Sequence, residues 1–290
     1  MAKYKDRVLE NVDGPYYVDK TCVNCGVSRH FAPDHFGDTG DFAFVKKQPT
    51  SWVQEQDVQR ALLACPTASI GMQGKRSLIE AKNSLPLELA PDVFINGFNH
   101  RDSFGAHSYI VRSDAGNWLI DSPRFTIHLV DKFKEMGGIK YIFLTHRDDV
   151  SDAHLYAKEF GAKRIIHEWD AEAAPDAEMI VKGDDSVTLD SAELHLTPGH
   201  TRGHMVMVWA GKYLFSGDHY AWIMRDRRFG SFRSACWYSW EEQIASVEKM
   251  KTFSDIEWVF PDHGRWGPVA KGAFPEIIRQ SVARMKEQAD

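Results

Sequence analysis

The run Leu144-Thr145-His146-Arg147-Asp148-Asp149-Val150-Ser151-Asp152-Ala153-His154 constrains this chain more than any other segment. Five candidate metal ligands, His146, Asp148, Asp149, Asp152 and His154, fall within nine residues, directly after the apolar stretch Tyr141-Ile142-Phe143-Leu144. So short an apolar stretch reads as a buried strand, so imidazoles and carboxylates crowd its exit. Three later turns repeat the arrangement: Thr197-Pro198-Gly199-His200, Phe215-Ser216-Gly217-Asp218 and Phe260-Pro261-Asp262-His263-Gly264. Any one of these residues alone is commonly a turn former or a satisfied polar group. The series points to a metal centre gathered from distant turns.

These four motifs, in this order, resemble those of the metallo-β-lactamase superfamily over residues 92 to 290. The resemblance implies an αββα sandwich with one or two metal ions at one rim of its paired sheets. The family's first cluster is His-x-His-x-Asp-His, whereas here the carboxylates of Asp148 and Asp149 follow His146 at offsets of 2 and 3. With two residues deleted, His146 keeps the first position, the second His is lost, Asp148 takes the Asp position and Asp149 replaces the last His. Carried over in this way, the first metal takes His146 and His200, the second takes Asp148, Asp149 and His263, and Asp218 bridges them. An insertion would instead make Asp152 a ligand. Asp152, however, reads as the N-cap of a helix over residues 153 to 160, with His154 about 200° further round its axis. Carboxylates in place of imidazoles make the site harder and more acidic, so at least one metal position is expected to be compromised.

A divalent ion with an open position lowers the pKa of its water from about 16 to roughly 7. The metal-bound hydroxide so formed would attack a small ester, thioester or lactone, with Asp148 or Asp218 as the catalytic carboxylate that orients it and takes its proton. This hydrolase is the leading expectation, with zinc or iron as the metal. His146, His200 and one Asp also make a two-His, one-carboxylate set suited to iron and dioxygen, so an iron-dependent oxidoreductase is the alternative. A non-catalytic binding protein that keeps the fold is the third.

The front of the chain carries Cys22-Val23-Asn24-Cys25-Gly26-Val27-Ser28 and, later, Cys65-Pro66. Over residues 15 to 72 this resembles a small ferredoxin, whose pattern is Cys-x-x-Cys-x-x-Cys with a distant Cys-Pro. Ser28 stands where the third cysteine belongs. A serine is a poor iron ligand beside a thiolate, so the iron-sulfur site, Cys22, Cys25, Cys65 and Ser28, is degenerate. The open outcomes are a three-iron cluster, a four-iron cluster with a non-cysteine ligand, a zinc site recruiting His30, or a relic without metal. Cys236, within an aromatic run, reads as a packed thiol.

The organisation expected is therefore α+β: a ferredoxin-like module over residues 1 to 82, a linker over 83 to 91 marked by Pro86 and Pro91, and the sandwich over 92 to 290. Residues 108 to 120 read as a hairpin, and helices and strands alternate beyond it. The aromatic stretch after Asp218, from His219 to Trp240, reads as packing or as a pocket wall, and Arg225 to Arg228 as a solvated loop or an anion clamp. His204 and His219 are candidates for groups behind the ligands.

At 290 residues with 43% hydrophobic content the chain can bury large cores. A net charge of −6, without a long basic stripe, argues against nucleic acid. No apolar stretch approaches the ~18 residues of a membrane span, and residues 1 to 6 show no signal-peptide core. Four cysteines in this pattern suit a reducing compartment. A cytoplasmic protein acting on a small molecule, with a redox partner in the oxidoreductase case, is the expectation.

Overall fold

In the computed structural model, which describes residues 1–288, two sheets dominate and face each other. The first has seven strands in the spatial order Met179–Val181, Lys163–His167, Tyr141–Phe143, Trp118–Ile120, Tyr109–Val111, Val93–Ile95 and Leu87–Ala90. The second has six, in the order Val187–Leu189, Ala192–Leu196, Met205–Trp209, Tyr213–Gly217, Trp258–Pro261 and Gly267–Pro268. The Met205–Trp209 strand shows why two layers of helix must cover them, since all five of its residues are buried. Met205, Met207 and Trp209 join the core between the sheets, while Val206 and Val208 join a second core on the opposite face. With side chains alternating from face to face, a strand apolar on both needs cover on both.

Helices Trp240–Lys249 and Phe274–Glu287 supply that cover, burying Ile244, Val247, Ile278 and Val282 against Val206, Val208 and Leu214. Ser239 caps the first of these helices by accepting from the amide of Glu242, and Thr126 caps Ile127–Glu135 in the same way through Leu129. Ile127–Glu135 and Ala153–Phe160 contribute Leu129, Phe133 and Tyr156 to the core with the first sheet. The arrangement is the αββα sandwich.

The front module packs the helix Trp52–Ala64 against the short helix Val27–Phe31, beside a two-stranded ladder of Tyr16–Val18 and Ile70–Met72. Its core is continuous with the sandwich. The segment 83 to 91, expected as a linker, instead carries the strand Leu87–Ala90, which pairs antiparallel with Val93–Ile95 at the sheet edge. Pro86 lies just ahead of that strand and leaves Leu87 and the residues after it free to pair, so proline there marks a strand entry rather than a spacer. Among the described residues no helix is long and apolar enough to cross a membrane.

Candidate metal centre and its chamber

Strand direction brings the separated motifs together. Tyr141–Phe143 and Trp118–Ile120 run parallel, so His146 and Asp121 leave the first sheet at one edge. In the second sheet Tyr213–Gly217 and Trp258–Pro261 also run parallel, with Gly217 opposite Pro261, so Asp218 and His263 leave together. Met205–Trp209 is antiparallel to its neighbour, which returns the His200 turn to the same rim. Gly217 is required there: its φ is +51°, and a Cβ would stand 2.5 Å from His204 Nε2 and 2.8 Å from Thr145 Oγ1.

The structure brings His146, Asp148, Asp149, His200, Asp218 and His263 to one place. Asp218 Oδ2 stands 3.7 Å from His146 Nε2 and 3.6 Å from His200 Nε2, while its Oδ1 is 2.7 Å from His263 Nδ1. Two ligand-competent groups share His146: one with Asp148 and His200, the other with Asp149 and Asp218. Asp148 therefore differs from its expected place beside His263, because its Oδ2 lies 3.3 Å from His200 Nε2. The short turn Arg147–Asp149 curls it back over the first pair of imidazoles. Asp152 is not in the cluster. It occupies the N-cap position without bonding its own helix, and its Oδ2 accepts from the amide of Phe125 at 2.7 Å. His154 is exposed on that helix.

Buried nitrogen and oxygen atoms in this cluster lack protein partners: His146 Nε2, both ring nitrogens of His200, Asp149 Oδ2 and His263 Nε2. Uncompensated buried polar atoms are costly, and convergent imidazoles and carboxylates are the donor set of a divalent cation. The residues present thus fit a metal. Burial holds the His146 imidazole down to about 3, with His200 adding repulsion. Burial raises Asp149 well above the usual carboxylate range, and the Asp218 charge adds to it. Asp218 itself is buried, yet His263, His200 and His146 hold its carboxyl well below that range. Burial opposes protonation of His263, but Asp218 lifts its imidazole to about 9.

A supporting layer escaped the sequence reading in part. Thr145 Oγ1 meets His146 Nδ1 at 2.9 Å and donates to Asp262 Oδ2 at 3.1 Å, and the amide of Thr145 donates to Asp121 Oδ1 at 2.9 Å. Asp121 ends the apolar run Leu119-Ile120, the same signature as the singled-out ligands, and could have been flagged by it. His204 accepts from the amide of Asp218 at 3.2 Å and meets Thr197 Oγ1 at 3.0 Å, consistent with a group behind the ligands. His219 is fully buried, its ring nitrogens without protein partners.

The cluster opens into a cavity of about 1220 Å³ walled by both modules. Trp222, Phe229, Phe232 and Trp237 of the aromatic stretch line it, as do Arg225 and Arg228. From the front module come Asn24, Cys25, Arg29 and His30. Cys25 also lines a second, small cavity with Cys22, Ser28 and Cys65. Backbone amides of Asn24 and Ala43 approach Cys22 Sγ at 3.4 and 3.5 Å, and that of Ser69 approaches Cys65 Sγ at 3.3 Å. Three thiols with amide donors beside them, in a small cavity that Ser28 also lines, fit an iron-sulfur group lacking one thiolate. Burial pushes the Cys25 thiol up to about 12, and Cys22 rises for the same reason.

His30 is held by the other module, its Nδ1 meeting His107 Nε2 at 2.9 Å, and so links the two. The amide of His107 donates to Asp262 O at 2.7 Å, beside His263. Gly105 packs against Cys25, where an added Cβ would lie 3.0 Å from the sulfur. Cys236 is a packed thiol whose sulfur donates to Gly199 O at 3.1 Å.

Comparison with known proteins agrees with both halves. Residues 18–72 match the family described as the 4Fe-4S single cluster domain of Ferredoxin I. No curated protein matches the chain in sequence. Among solved structures, TMB-1 is 16% identical with a TM-score of 0.56, covering 70% of this chain and 97% of its own. DIM-1 metallo-β-lactamase is 17% identical with a TM-score of 0.55, covering 70% and 96%. The metallo-β-lactamase from Pontibacter korlensis is 18% identical with a TM-score of 0.52, covering 69% and 98%. The chain therefore joins an N-terminal 4Fe-4S ferredoxin-type domain to a metallo-β-lactamase fold.

Proposed function

We propose that this protein is a metal-dependent hydrolase of a small ester, thioester or lactone. The observation that carries the reading is the convergence of three imidazoles and three carboxylates, four of their ring nitrogens and one carboxylate oxygen buried and unpartnered, at a cavity large enough for a small molecule. His146, His200 and Asp148 would hold one divalent ion, and Asp149 and His263 a second, with Asp218 between them. Bound there, a divalent ion supplies Lewis acidity toward water and a carbonyl. Asp218 remains ionised in the company of three imidazoles, so its carboxylate offers a fixed negative charge to a cation held between them. Thr145 fixes the His146 ring from behind, and His204 fixes the Asp218 backbone. Asp148 is half-exposed at the cavity and held below the usual carboxylate range mainly by the His200 ring, whose Nε2 stands 3.3 Å from its Oδ2, which suits it to orient an incoming nucleophile.

Elemental analysis with a simple thioester assay tests this. Bound zinc or iron, turnover abolished by chelation and lost in His200→Ala are expected. Equal turnover in His200→Ala and in the unaltered protein would refute it.

A second reading, an iron-dependent oxidoreductase, is favoured by one observation: Cys25 walls both the thiol pocket and the reaction cavity. A redox group on the thiols would then border the substrate, and an external redox partner would supply its electrons. Absorbance near roughly 400 nm that bleaches on reduction and recovers with substrate would select this reading. A cytoplasmic setting belongs to the same proposal, and four free cysteines are in keeping with a reducing compartment.

A further inference from the structure

The cavity is rich in arginine, its six balanced by six aspartates of which three are the candidate ligands Asp148, Asp149 and Asp218. The protein has 41 acidic and 35 basic residues, yet six arginines and no lysine line this one cavity. Outside the candidate ligands only Asp38, Asp102 and Asp226 face them. Most of the arginines are occupied. Arg225 and Arg228 share Asp226 at 3.0 and 3.3 Å, and Arg147 pairs with Glu172 at 3.1 Å. Arg29, from the front module, pairs with Asp38 at 3.1 Å and donates to Asn24 Oδ1 at 2.7 Å, which leaves three of its five N–H groups.

Among the described residues two of the six pair with no carboxylate, the exposed Arg233 and, unlike it, the anchored Arg284. It rises from helix Phe274–Glu287, half-buried, and its Nη2 donates to two neutral oxygens, Phe229 O at 3.3 Å and Ser281 Oγ at 3.1 Å. Among the described residues no carboxylate lies within ion-pair distance of it. A guanidinium anchored by neutral acceptors keeps its charge uncompensated and its remaining donors aimed, which is the condition for receiving a carboxylate or phosphate. Beside it the cavity wall is aromatic. Trp222 and Phe232 are half-buried, and Trp237 is 62% exposed with its ring 6.1 Å from that of His200. Flat apolar rings left open beside a candidate metal ligand suit a planar or acyl arm.

We propose that the cavity takes an organic anion, a carboxylate or phosphate on an apolar acyl or aryl arm, with Arg284 and Arg29 receiving the charge and Trp222, Phe232 and Trp237 the arm. This rests on the cavity being the substrate site, as the proposed function has it, and not on which cation is bound. The front module thereby becomes part of substrate selection, since Arg29 sits four residues beyond Cys25 and is tied to Asn24 between the two cysteines.

Titration calorimetry of the full-length protein with phenyl phosphate, benzoate and neutral benzyl alcohol tests it, as purified and again after chelation. Both anions bind at least tenfold more tightly than benzyl alcohol in both preparations. Arg284→Gln weakens them at least tenfold and leaves benzyl alcohol unchanged, Arg29→Gln weakens them less, and Trp237→Ala weakens all three ligands. Which anion binds more tightly identifies the natural group. The proposal is overturned if neither anion binds, if Arg284→Gln leaves their affinity unchanged or weakens benzyl alcohol equally, or if chelation alone abolishes anion binding. Should Arg284→Gln lose its near-ultraviolet circular dichroism, Arg284→Lys serves: benzoate affinity falls with the planar fork, and an unchanged value refutes the assignment. A failed thioester assay leaves these titrations standing, so the two proposals fail separately.

Discussion

Gly217→Ala tests how tightly the ligand rim is built. The substitution meets two separable penalties. At φ +51° an alanine sits in the left-handed region, at a cost of about 1–2 kcal/mol. Its methyl would also meet His204 Nε2 at 2.5 Å and Thr145 Oγ1 at 2.8 Å. Those two groups hold the Asp218 backbone and the His146 ring, so displacing them gives up two hydrogen bonds of about 1 kcal/mol each. The sum is about 3–4 kcal/mol. Gly161→Ala isolates the first part, because Gly161 has φ +64° and nothing within 4 Å of an added Cβ. Urea unfolding of chelated protein should show Gly161→Ala down by about 1–2 kcal/mol and Gly217→Ala down by about twice that. Elemental analysis should show reduced metal content only in Gly217→Ala. Equal destabilisation of the two variants, with metal content retained in both, would mean that the Gly217 contacts do not hold the site.

Three further outcomes are expected. Ser28→Cys supplies the missing thiolate, so after iron and sulfide reconstitution it should hold more iron per chain and absorb more strongly near roughly 400 nm than the parent; equal iron would show that Ser28 is not at the fourth ligand position. Cys25, with its thiol pushed up to about 12 by burial, stays protonated at pH 8, so in cluster-free protein iodoacetamide should modify it far more slowly than in the urea-unfolded chain, as read by peptide mass. His107→Ala removes the partner of buried His30 and leaves space between Phe31 and Trp266, which should cost about 2–4 kcal/mol in urea unfolding, whereas a loss under 1 kcal/mol would mean the modules are not joined there.

The residues that carry the site were legible because each follows an apolar run, and a strand's exit is fixed by where its apolar residues stop. His146, His200, Asp218 and His263 all have this form, and parallel or antiparallel pairing then brings them to one rim without further information from the local sequence. Asp121 has the same form after Leu119-Ile120, but lacks a matching motif, and its role appears only through its bond to the Thr145 amide. Side-chain direction is what spacing could not give. The family resemblance, carried over position by position, assigns Asp148 to the second ligand group, yet the turn Arg147–Asp149 sends it to His200 and buries Asp149 instead. The joint between the modules was equally hidden. His30 lies near the cysteines in sequence, which left a zinc site recruiting it open, while the partner of its Nδ1, His107, is 77 residues away. Such a contact depends on two domains docking, and no local pattern encodes it. The strand Leu87–Ala90 shows the complementary error: proline restrains the chain to extended shapes, but an extended segment beside a free sheet edge becomes a strand, and only the fold reveals that the edge is there.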